Sequence, residues 1–270
     1  MQIKQSSKTN SSKSSNSKKI SVLMLTYNNL PEVKKCLKSL TGITKRKDVL
    51  EWIILDNGST DGTAHFLKQF SKNQPKVNVI YSKINTGVAG GRKILLEKAR
   101  GEILLLLDSD VIAQSKDFVT ILLKALKKPG VGIVGCRALD FSIKNASFDK
   151  KELNYEGFAD FVEGYCTLFD RKILQAGCEM DLYYSPYWAE DADFCLQIKE
   201  KTGLKAYAVS LEKTGLLHKN SKTNKGSRLD RKKKVLYLAL KFSPKISFAK
   251  IKLTIEFILI KILLLFDWKK

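Results

Sequence analysis

The sequence predicts a doubly wound α/β fold with a mostly parallel central sheet. The first observation is that short runs of continuous apolar residues recur along residues 20–136, as expected of strands buried on both faces. The second is that stretches of helical character separate these runs, which is typical of parallel strands joined by crossover helices. With 270 residues, of which 44% are hydrophobic, the chain is also long enough to bury a core.

Each element follows from its local pattern. The apolar strands are predicted as ISVLMLT (20–26), EWIILD (51–56), VNVIYS (77–82), EILLLLD (102–108) and VGIVGC (131–136). The helices between them are predicted as PEVKKCLKSL (31–40), a segment after Thr60, VAGGRKILLEKAR (88–100) and DFVTILLKALKK (117–128). The first of these opens at Pro31, and the run FCLQIKEK (194–201) is a further helical stretch.

The charge of the chain is concentrated at its two ends. The net charge is +21, but residues 20–218 carry 28 basic and 24 acidic residues, a balance of only +4. Residues 1–19 are rich in Ser and Lys with almost no apolar content, so burial cannot offset their ordering entropy and we expect a disordered tail. We therefore divide the chain into that tail, a folded body at 20–218 and a basic, partly apolar helical extension at 219–270.

The composition also excludes several classes of protein. It is unlike that of a wholly disordered, collagen-like or disulfide-framework chain. The five cysteines form no CxxC pair, so they suggest neither a zinc site nor a disulfide scaffold. The apolar stretch after the tail, Ile20 to Leu25, is shorter than the core of a secretory signal, so we expect a cytoplasmic protein.

Polar residues follow the predicted strands at the points where the strands end. They are Thr26, Tyr27 and Asn28, then Asp56 to Ser59, then Asn85, Thr86 and Gly87, and finally Asp108, Ser109 and Asp110. Ligands of such sheets bind beyond the carboxyl ends of the strands, so we expect these residues to line one binding edge.

Asp108 and Asp110 end a buried strand at that edge. Two neighbouring carboxylates repel each other unless a cation intervenes, and Mg²⁺ or Mn²⁺ takes oxygen ligands and bridges them to substrate phosphates. The spacing alone is weak, since Asp191 and Asp193 repeat it. A turn with Asp as a helix cap explains the pair equally well, so both interpretations stay open.

The glycine-rich segment NTGVAGGRK (85–93) opens a predicted helix. Its backbone amides and Arg92 would suit an anion at the helix N-terminus, although a simple turn is the commoner origin of such a segment. It has neither the Walker nor the GxGxxG spacing, which argues against a dinucleotide-binding loop.

Three acids, Glu190, Asp191 and Asp193, open a helical run after Trp188. Acids at a helix N-terminus are stabilised by the macrodipole whatever their function. A carboxylate beside other acids and aromatic rings can also have its pKa raised toward a value suited to a general base. His218, one of two histidines, precedes the basic extension and is either a surface residue or a ligand.

The sequence resembles the family-two glycosyltransferases with the GT-A fold, because it carries their motifs in order. These are TYN, DNGSTDGT, NTGVAGGR, LLLLDSD, EGYCTLFDR and WAEDADF, followed by a histidine. The resemblance covers roughly residues 20–218, which would form the catalytic domain. Within the family, the later segments look most like the rhamnosyltransferase-like branch of surface polysaccharide synthesis.

The resemblance implies a role for each position. The nucleotide-sugar donor would lie against Thr26, Tyr27, Asn28, Asp56, Asn85, Gly87, Arg92 and Asp108. Mn²⁺ or Mg²⁺ would be bound by Asp110 and His218, with Asp108 facing the metal or the ribose. Asp191, next to Glu190, would deprotonate the acceptor hydroxyl, while Gly164, Trp188 and Asp193 would lie on the acceptor side.

The activity implied is inverting transfer from a UDP or dTDP sugar to a glycan or lipid-linked acceptor, in cell-surface polysaccharide or glycolipid synthesis. Two residues depart from the family pattern: Gln197 stands where an arginine is usual, and Lys93 where an asparagine often follows Arg92. These departures and the basic ends leave an alternative, a catalytically weak nucleotide-binding module whose tails dock on membrane or another polyanion. The chain carries no nucleic-acid-binding motif, so a nucleic-acid partner is not expected.

The extension contains the apolar stretch KISFAKIKLTIEFILIKILLLFDW (245–268). Lys250, Lys252, Glu256 and Lys261 interrupt it, and charges are costly in the bilayer centre, so a membrane-spanning helix is not expected. A helix lying in the membrane interface and a helix packed on the protein are equally consistent with the pattern. The first would give the protein a peripheral location on the inner membrane face.

Overall fold

The computed structural model describes residues 18–115, 117–219, 227–243 and 248–267. Its strands are β1 (Ile20–Thr26), β2 (Val49–Asp56), β3 (Val77–Tyr81), β4 (Ile103–Asp108), β5 (Val111–Ala113), β6 (Val131–Gly135), β7 (Ala138–Ser142), β8 (Ser147–Lys150), β9 (Gly157–Ala159), β10 (Phe161–Val162), β11 (Cys166–Asp170), β12 (Lys205–Ala208) and β13 (Leu216–His218). Its α-helices are α1 (Leu30–Leu40), α2 (Thr63–Ser71), α3 (Gly87–Lys98), α4 (Phe118–Leu126), α5 (Lys172–Gln175), α6 (Glu190–Thr202), α7 (Leu211–Thr214), α8 (Arg228–Phe242) and α9 (Phe248–Asp267). Short 3₁₀ helices lie at Ile43–Lys45 and Leu182–Tyr184.

Within the described residues, eight strands form one sheet in the order β3-β2-β1-β4-β11-β6-β12-β9. β1 lies between β2 and β4 and pairs in parallel with both, and β2 pairs in parallel with β3. β11 then runs antiparallel between β4 and β6, β12 runs parallel to β6, and β9 is antiparallel at the edge. The mostly parallel sheet is therefore confirmed, and its antiparallel strand β11 comes from a segment to which the sequence pattern assigned no strand.

Successive side chains of a strand point to opposite faces of the sheet. Because these strands are apolar at consecutive positions, both faces of the sheet are apolar. On one face, Leu23, Leu55 and Leu106 belong to a cluster that includes side chains of α3, α6 and α8. On the other face, Met24 and Leu105 pack with side chains of α1, α2 and α4. Helices thus cover the sheet on both sides, as continuous apolar strands predict.

The C-terminal extension packs on the body through α8. Val235, Leu236, Leu238 and Ala239 of α8 are buried in the same cluster as the side chains of α6. α8 precedes the apolar stretch at 245–268, so its packing does not decide between the two interpretations of that stretch. The proposed disordered tail, residues 1–19, lies outside the described residues except for Lys18 and Lys19.

α9 packs against α8 and has an exposed apolar side. Leu253 and Ile260 are buried in the shared cluster. The side chains exposed on α9 are Ile251, Ile255, Ile258, Leu259, Ile262 and Leu263, called here the outer strip. Of the helices in the described ranges, none has both the length and the apolar character needed to cross a bilayer.

Candidate active site

The carboxyl ends of the parallel strands meet at one edge of the sheet, as the sequence predicts. Because β1 lies between β2 and β4, its last residue Thr26 is paired with Asp56, and Leu25 is paired with Asp108. Thr26 is buried, and its hydroxyl has no hydrogen-bond partner among the described residues. The loops that follow these strands therefore lie side by side.

The loop after β1 is held against the loop after β2. The Asn28 side-chain oxygen accepts a hydrogen bond from the Thr60 N–H at 2.7 Å, and the Asn28 N–H donates to Ser59 Oγ at 2.9 Å. Asp56 is buried, and its Oδ1 accepts from the Ser59 N–H at 3.1 Å. Tyr27 remains exposed beside them. This part of the edge is therefore fixed by hydrogen bonds and presents one aromatic ring to solvent.

Asn57 joins the loops after β2 and β3. Its amide nitrogen donates to Asn85 Oδ1 at 2.9 Å and to the Gly87 carbonyl at 3.2 Å. Its amide oxygen accepts from the Thr86 N–H at 3.1 Å and from the Thr86 hydroxyl at 2.9 Å. Asn57 is among the strand-end residues expected at this edge, although the resemblance assigns it no role.

The backbone amides at the start of α3 bond within the protein. The Gly87 N–H donates to Asn85 Oδ1 at 2.8 Å, and the Val88 N–H donates to the Pro186 carbonyl at 2.5 Å. Gly87 has a φ of +74°, and a Cβ there would lie 2.7 Å from the Pro186 Cα, so glycine is required. The glycine-rich segment thus docks against the loop that precedes α6.

Arg92 of α3 lies buried beneath the edge and connects three segments. Its Nη2 donates to Asp108 Oδ1 at 3.0 Å and to the Gly164 carbonyl at 2.9 Å, while Nη1 donates to Glu190 Oε1 at 3.3 Å. Burial lowers the pKa of Arg92, but Asp108 and Glu190 outweigh it and the net shift is upward, so the guanidinium stays charged. A Cβ at Gly164 would lie 2.8 Å from Nη2 and closer still to Nη1, so a larger residue there would have to displace the guanidinium.

Asp108, Asp110 and His218 form a ligand cluster at the same edge. Each offers one ligand atom, and these atoms all lie within 4.8 Å of one another. Two carboxylates and one imidazole suit Mn²⁺, and Mg²⁺ shares the preference for carboxylate oxygen. The residues that the resemblance assigns to the metal are therefore brought together, and their chemistry fits a divalent cation.

His218 reaches the ligand cluster through a two-stranded sheet. β13 pairs antiparallel with β5, which puts His218 opposite Val111, the residue after Asp110. His218 Nε2 is 3.3 Å from Asp110 Oδ1, and its ring stacks on Tyr165 at a centroid distance of 4.4 Å. Burial lowers the pKa of His218, but the hydrogen bond and charge of Asp110 outweigh it, and the net shift is upward. A bound cation would compete with this proton, because metal-bound imidazole is neutral.

α6 begins with the acid pair Glu190 and Asp191. The two residues before it, Trp188 and Ala189, have φ values of +94° and +68°. Such a conformation costs about 1–3 kcal/mol at a non-glycine residue and persists only where the surroundings enforce it. Asp191 Oδ2 accepts a hydrogen bond from the Gly164 N–H at 3.0 Å. The strained turn therefore directs one of the two acids at the backbone of Gly164.

The pKa values of both acids are raised. Burial raises the pKa of Glu190 to about 7, with the charge of Asp191 adding to the shift and Arg92 opposing it. Burial also raises the pKa of Asp191, while Arg92 and the amides of Ala192 and Gly164 oppose the shift. Raised carboxyl pKa values in a cleft are typical of groups that take and release protons near neutral pH.

Asp193 lies apart from the acid pair, in a buried network beneath α8. Its carboxylate accepts hydrogen bonds from the Tyr184 hydroxyl at 3.2 Å and from Gln197 Nε2 at 2.5 Å, and it pairs with Lys241 at 2.7 Å. Gln197 Nε2 also donates to the Glu179 carbonyl at 2.9 Å, so the residue that replaces arginine is fully engaged in this network. Asp193, predicted for the acceptor side, is thus an internal anchor in this structure.

Trp188, predicted for the acceptor side, and Lys93 both lie near the surface. Trp188 is partly buried, with the Arg231 guanidinium of α8 5.2 Å from the centre of its ring. Lys93, the second departure from the family pattern, forms an exposed ion pair with Glu179 at 3.4 Å. A pair this exposed contributes little to stability.

Glu163 is a further carboxylate near the acid pair that the predicted set omits. It forms an ion pair with Arg137 at 3.6 Å. Burial raises its pKa, the charge of Arg137 opposes the shift, and that of Asp191 adds to it. Its place immediately before Gly164 in the segment EGYC is the sequence signal that would have identified it.

A sequence model of a known protein family matches this chain. The model described as Glycosyl transferase family 2 matches residues 21–178. Glycosyltransferase AglE of Haloferax volcanii is 33% identical over 91 residues, which are 34% of this chain and 30% of that protein. The poly(ribitol-phosphate) beta-glucosyltransferase of Bacillus spizizenii is 37% identical over 93 residues, which are 34% of this chain and 15% of that protein. The chain covers less than one third of the length of either relative.

Solved structures of similar fold include a mannosyltransferase and two further proteins. The mannosyltransferase PcManGT from Pyrobaculum calidifontis, in complex with GDP-Man and Mn²⁺, has a TM-score of 0.62 at 19% identity, covering 89% of this chain and 69% of its own. GalNAc-T7 with UDP, GalNAc and Mn²⁺ has a TM-score of 0.61 at 15% identity, covering 72% and 43%. TarS of S. aureus has a TM-score of 0.58 at 17% identity, covering 89% and 43%. At these identities the likeness shows the fold, and the predicted GT-A type sheet is confirmed.

Proposed function

This chain belongs to glycosyl transferase family 2, and from that premise we propose that it moves a sugar from a nucleotide-diphosphate donor to an acceptor hydroxyl with inversion. The observation that carries the proposal is that one buried side chain, Arg92, bonds to both Asp108 of the ligand cluster and Glu190 of the acid pair. A group suited to a cation and a group suited to a proton are thereby held close together. Metal-assisted inverting transfer uses the first to stabilise the leaving diphosphate and the second to deprotonate the acceptor.

Asp110 and His218, with Asp108, would hold Mn²⁺ or Mg²⁺. When bound, such a cation supplies electrostatic stabilisation to the nucleotide diphosphate as it leaves. Two proteins of similar fold were solved with Mn²⁺, which supports this choice of ion.

Asp191 is the proposed general base. Its carboxylate takes the proton of the acceptor hydroxyl, the hydroxyl oxygen bonds to the anomeric carbon, and the bond from that carbon to the diphosphate oxygen breaks. Attack from the face opposite the leaving group inverts the anomeric carbon without a carboxylate nucleophile. The Gly164 N–H, which binds one oxygen of Asp191, orients the carboxylate for this step.

The donor nucleotide would lie against the loops after β1 and β2, where Thr26, Tyr27, Asn28 and Asp56 are located. Tyr27 is exposed and offers a ring on which a base can stack. Asn85 and Gly87 support this edge through Asn57. We propose a UDP or dTDP sugar, and because one neighbour was solved with GDP-Man, a GDP sugar belongs among the donors to test.

The acceptor would bind beside Gly164 and Trp188, on the side of the acid pair. One relative carries the name poly(ribitol-phosphate) beta-glucosyltransferase, which supports a glycan or lipid-linked acceptor in cell-surface polysaccharide or glycolipid synthesis. The rhamnosyltransferase-like branch stays a prediction that the identity of the donor sugar will test.

The outer strip of α9 is evidence for peripheral binding of the protein to the inner face of an anionic membrane. Its six side chains recur at helical spacing, and Lys252 and Lys261 are exposed on the same helix. Anionic lipid would attract these lysines, whereas a second copy of the chain would bring like charges together. We expect sedimentation with phosphatidylglycerol vesicles but not with phosphatidylcholine vesicles, and its loss in an Ile255→Glu, Ile258→Glu variant. Equal behaviour of the variant and the unaltered protein would contradict the contact.

The alternative, a catalytically weak nucleotide-binding module with basic ends, was suggested by Gln197 and by the charge of +21. Gln197 is now accounted for by its hydrogen bonds to Asp193 and Glu179. The catalytic proposal is therefore preferred, and no nucleic-acid partner is proposed.

The experiment that tests the proposal is a donor screen followed by a transfer assay. Thermal unfolding is measured with UDP, dTDP and GDP sugars, with and without Mn²⁺, because a ligand of the native state raises the melting temperature. A metal-dependent rise with one nucleotide, followed by release of that nucleotide diphosphate with an inverted product, supports the proposal. A rise with no turnover on glycan or lipid-linked acceptors would favour the binding module.

A further inference from the structure

Asp193 is a buried carboxylate in the first turn of α6, two residues after the proposed base Asp191. Successive helical residues are about 100° apart around the axis, so the two acids project from nearly opposite sides of the helix. The Asp193 N–H donates to the Ala189 carbonyl at 2.9 Å, a bond that closes this first turn. Whatever holds Asp193 therefore also holds the turn that carries Glu190 and Asp191.

Lys241 of α8 faces the Asp193 carboxylate. Its Nζ is 2.7 Å from Asp193 Oδ1 and 2.9 Å from Asp181 Oδ2. Asp181 also accepts hydrogen bonds from the Tyr183 N–H at 2.9 Å and from the Tyr237 hydroxyl of α8 at 3.1 Å. One ammonium group thus ties α6, and the segment before it, to the C-terminal extension.

Among the described residues, the other hydrogen-bond donors to the Asp193 side chain are neutral. They are the Tyr184 hydroxyl and Gln197 Nε2. Burial raises the pKa of Asp193 and Lys241 opposes the shift, so loss of the ammonium would favour a neutral carboxyl. Gln197 lies one helical turn after Asp193, so a cation at that position would reach the same carboxylate.

We propose that Lys241 is a positioning residue for the sugar transfer: from the C-terminal extension it anchors Asp193, and through it the turn that carries Glu190 and Asp191. The inference rests on the proposed function. It makes α8 a working part of the catalytic domain, because α8 provides the ammonium group that pairs with Asp193. The lysines of α6, Lys199 and Lys201, contact Asp160 and Gln197 instead.

Two other contacts of α8 fall on the same segment. Lys234 Nζ donates to the Tyr187 carbonyl at 2.8 Å, and the Arg231 guanidinium lies over the Trp188 ring. These contacts immediately precede Ala189, whose φ of +68° needs enforcement by its surroundings. α8 therefore braces the strained turn from several positions, and Lys241 is the one that reaches a buried charge.

The test moves the positive charge from α8 to α6. Lys241→Met removes the ammonium group, Lys241→Arg keeps a cation on α8, and Gln197→Arg combined with Lys241→Met supplies one from α6. A groove of about 450 Å³ borders Gln197 and Lys241, so the longer arginine side chain has room. Lys232→Met is the matched control, because Lys232 is an exposed lysine on the same helix, 4.0 Å from Glu256.

Two kinds of measurement are made. The first is hydrogen exchange of the backbone amides at 189–194 in the absence of substrate. The second is kcat and KM for the UDP, dTDP or GDP sugar that binds with Mn²⁺. We expect Lys241→Met to exchange about tenfold faster and to lose about tenfold in kcat, with the donor KM within about twofold, because small misplacement of a reacting group is costly. Lys241→Arg and the double variant return to within about threefold of the unaltered protein, and Lys232→Met matches it.

A folded Lys241→Met variant with unaltered exchange and kcat would overturn the proposal. So would a double variant that stays as impaired as Lys241→Met while Lys241→Arg recovers. If Lys241→Met does not fold, a folded and active double variant supports the proposal and an unfolded one overturns it. If the unaltered protein transfers no sugar, the proposed function fails, while the exchange measurement still decides whether Lys241 anchors the turn.

Discussion

The ligand cluster and the acid pair are both built around carboxylates at one sheet edge, but different parts of the chain hold them. Asp108 ends a central strand, and Asp110 and His218 are brought together by the pairing of β5 with β13. The acid pair stands on a strained turn that packing must enforce, with α8 bracing it from the C-terminal extension. Strand pairing can position a ligand cluster by itself, whereas a strained turn depends on what packs against it.

The chemistry of the two groups differs in the same way. The ligand cluster has its three ligand atoms within 4.8 Å, which favours a shared cation. Of the acid pair, Glu190 is buried beside Arg92 and Asp191 is partly buried. The pKa values of both are raised, which favours exchange of a proton. The following predictions separate the two groups, from the largest expected effect to the smallest.

Replacing Asp191 should remove the general base and leave the ligand cluster intact. We expect Asp191→Asn to lower kcat about a thousandfold, because general-base assistance is worth roughly 10²–10⁴ in rate. The Mn²⁺-dependent rise in melting temperature with donor should persist, since the ligand cluster is intact. Asp149→Asn, at an exposed position of β8, is the control. Retention of most of the activity would reject Asp191 as the base.

Replacing Asp110 should weaken metal binding and leave the acid pair intact. We expect Asp110→Ala to lower kcat about a hundredfold, since even indirect supports of a metal site are worth 10–100-fold. It should also abolish the effect of Mn²⁺ on the melting temperature with donor present. Asp149→Ala again serves as the control. A Mn²⁺ response equal to that of the unaltered protein would show that the ligand cluster does not hold the ion.

A methyl group at Gly164 should disturb both groups at once, because it would displace Arg92 from between them. We expect Gly164→Ala to destabilise the protein by about 1–3 kcal/mol, the usual cost of overpacking, and to lower kcat about tenfold. Gly42→Ala is the matched control, since a Cβ there would have no atom within 4 Å apart from those of its chain neighbours. Chemical denaturation and the transfer assay measure the two effects. Equal stability of the two variants would contradict this role of Arg92.

The pH dependence of the unfolding free energy should reveal the raised pKa of Glu190. The pKa of Glu190 is about 7 in the folded protein and 4.5 without its surroundings. Between these values the folded state keeps a proton that the unfolded state has lost, so this contribution is present at low pH and fades as the pH rises through 7. Relative to Glu190→Gln, the unfolding free energy should fall by on the order of 2 kcal/mol between pH 5 and pH 7. Parallel curves for the two proteins would contradict the raised pKa.

Much of the body could be predicted because its strands are apolar throughout and its helices lie between them. The helix predicted at 31–40 is Leu30–Leu40, and the strand predicted at 102–108 is Ile103–Asp108. Strands β7 to β11 were not predicted, because they have only two to five residues each and no long apolar run. The local sequence pattern predicts long buried strands and helices but does not identify short strands.

The candidate site was predictable in its residue types and less so in its contacts. Asp110 and His218 were assigned to the metal through the resemblance, and the structure brings them together. Asp193 was assigned to the acceptor side, yet it pairs with Lys241, a residue that no motif marks. Arg92 was expected near the nucleotide, and it is buried between the two groups.

The sequence by itself determined which residues end the strands, which acids open α6 and where the charge of the chain is concentrated. These are properties of neighbouring residues, since strand and helix periods are set by the local backbone. Only the tertiary structure decided that Arg92 lies between the ligand cluster and the acid pair and that Lys241 faces Asp193. Such contacts join side chains from elements far apart in the chain, and their distances follow from how the helices pack on the sheet, which no local period records.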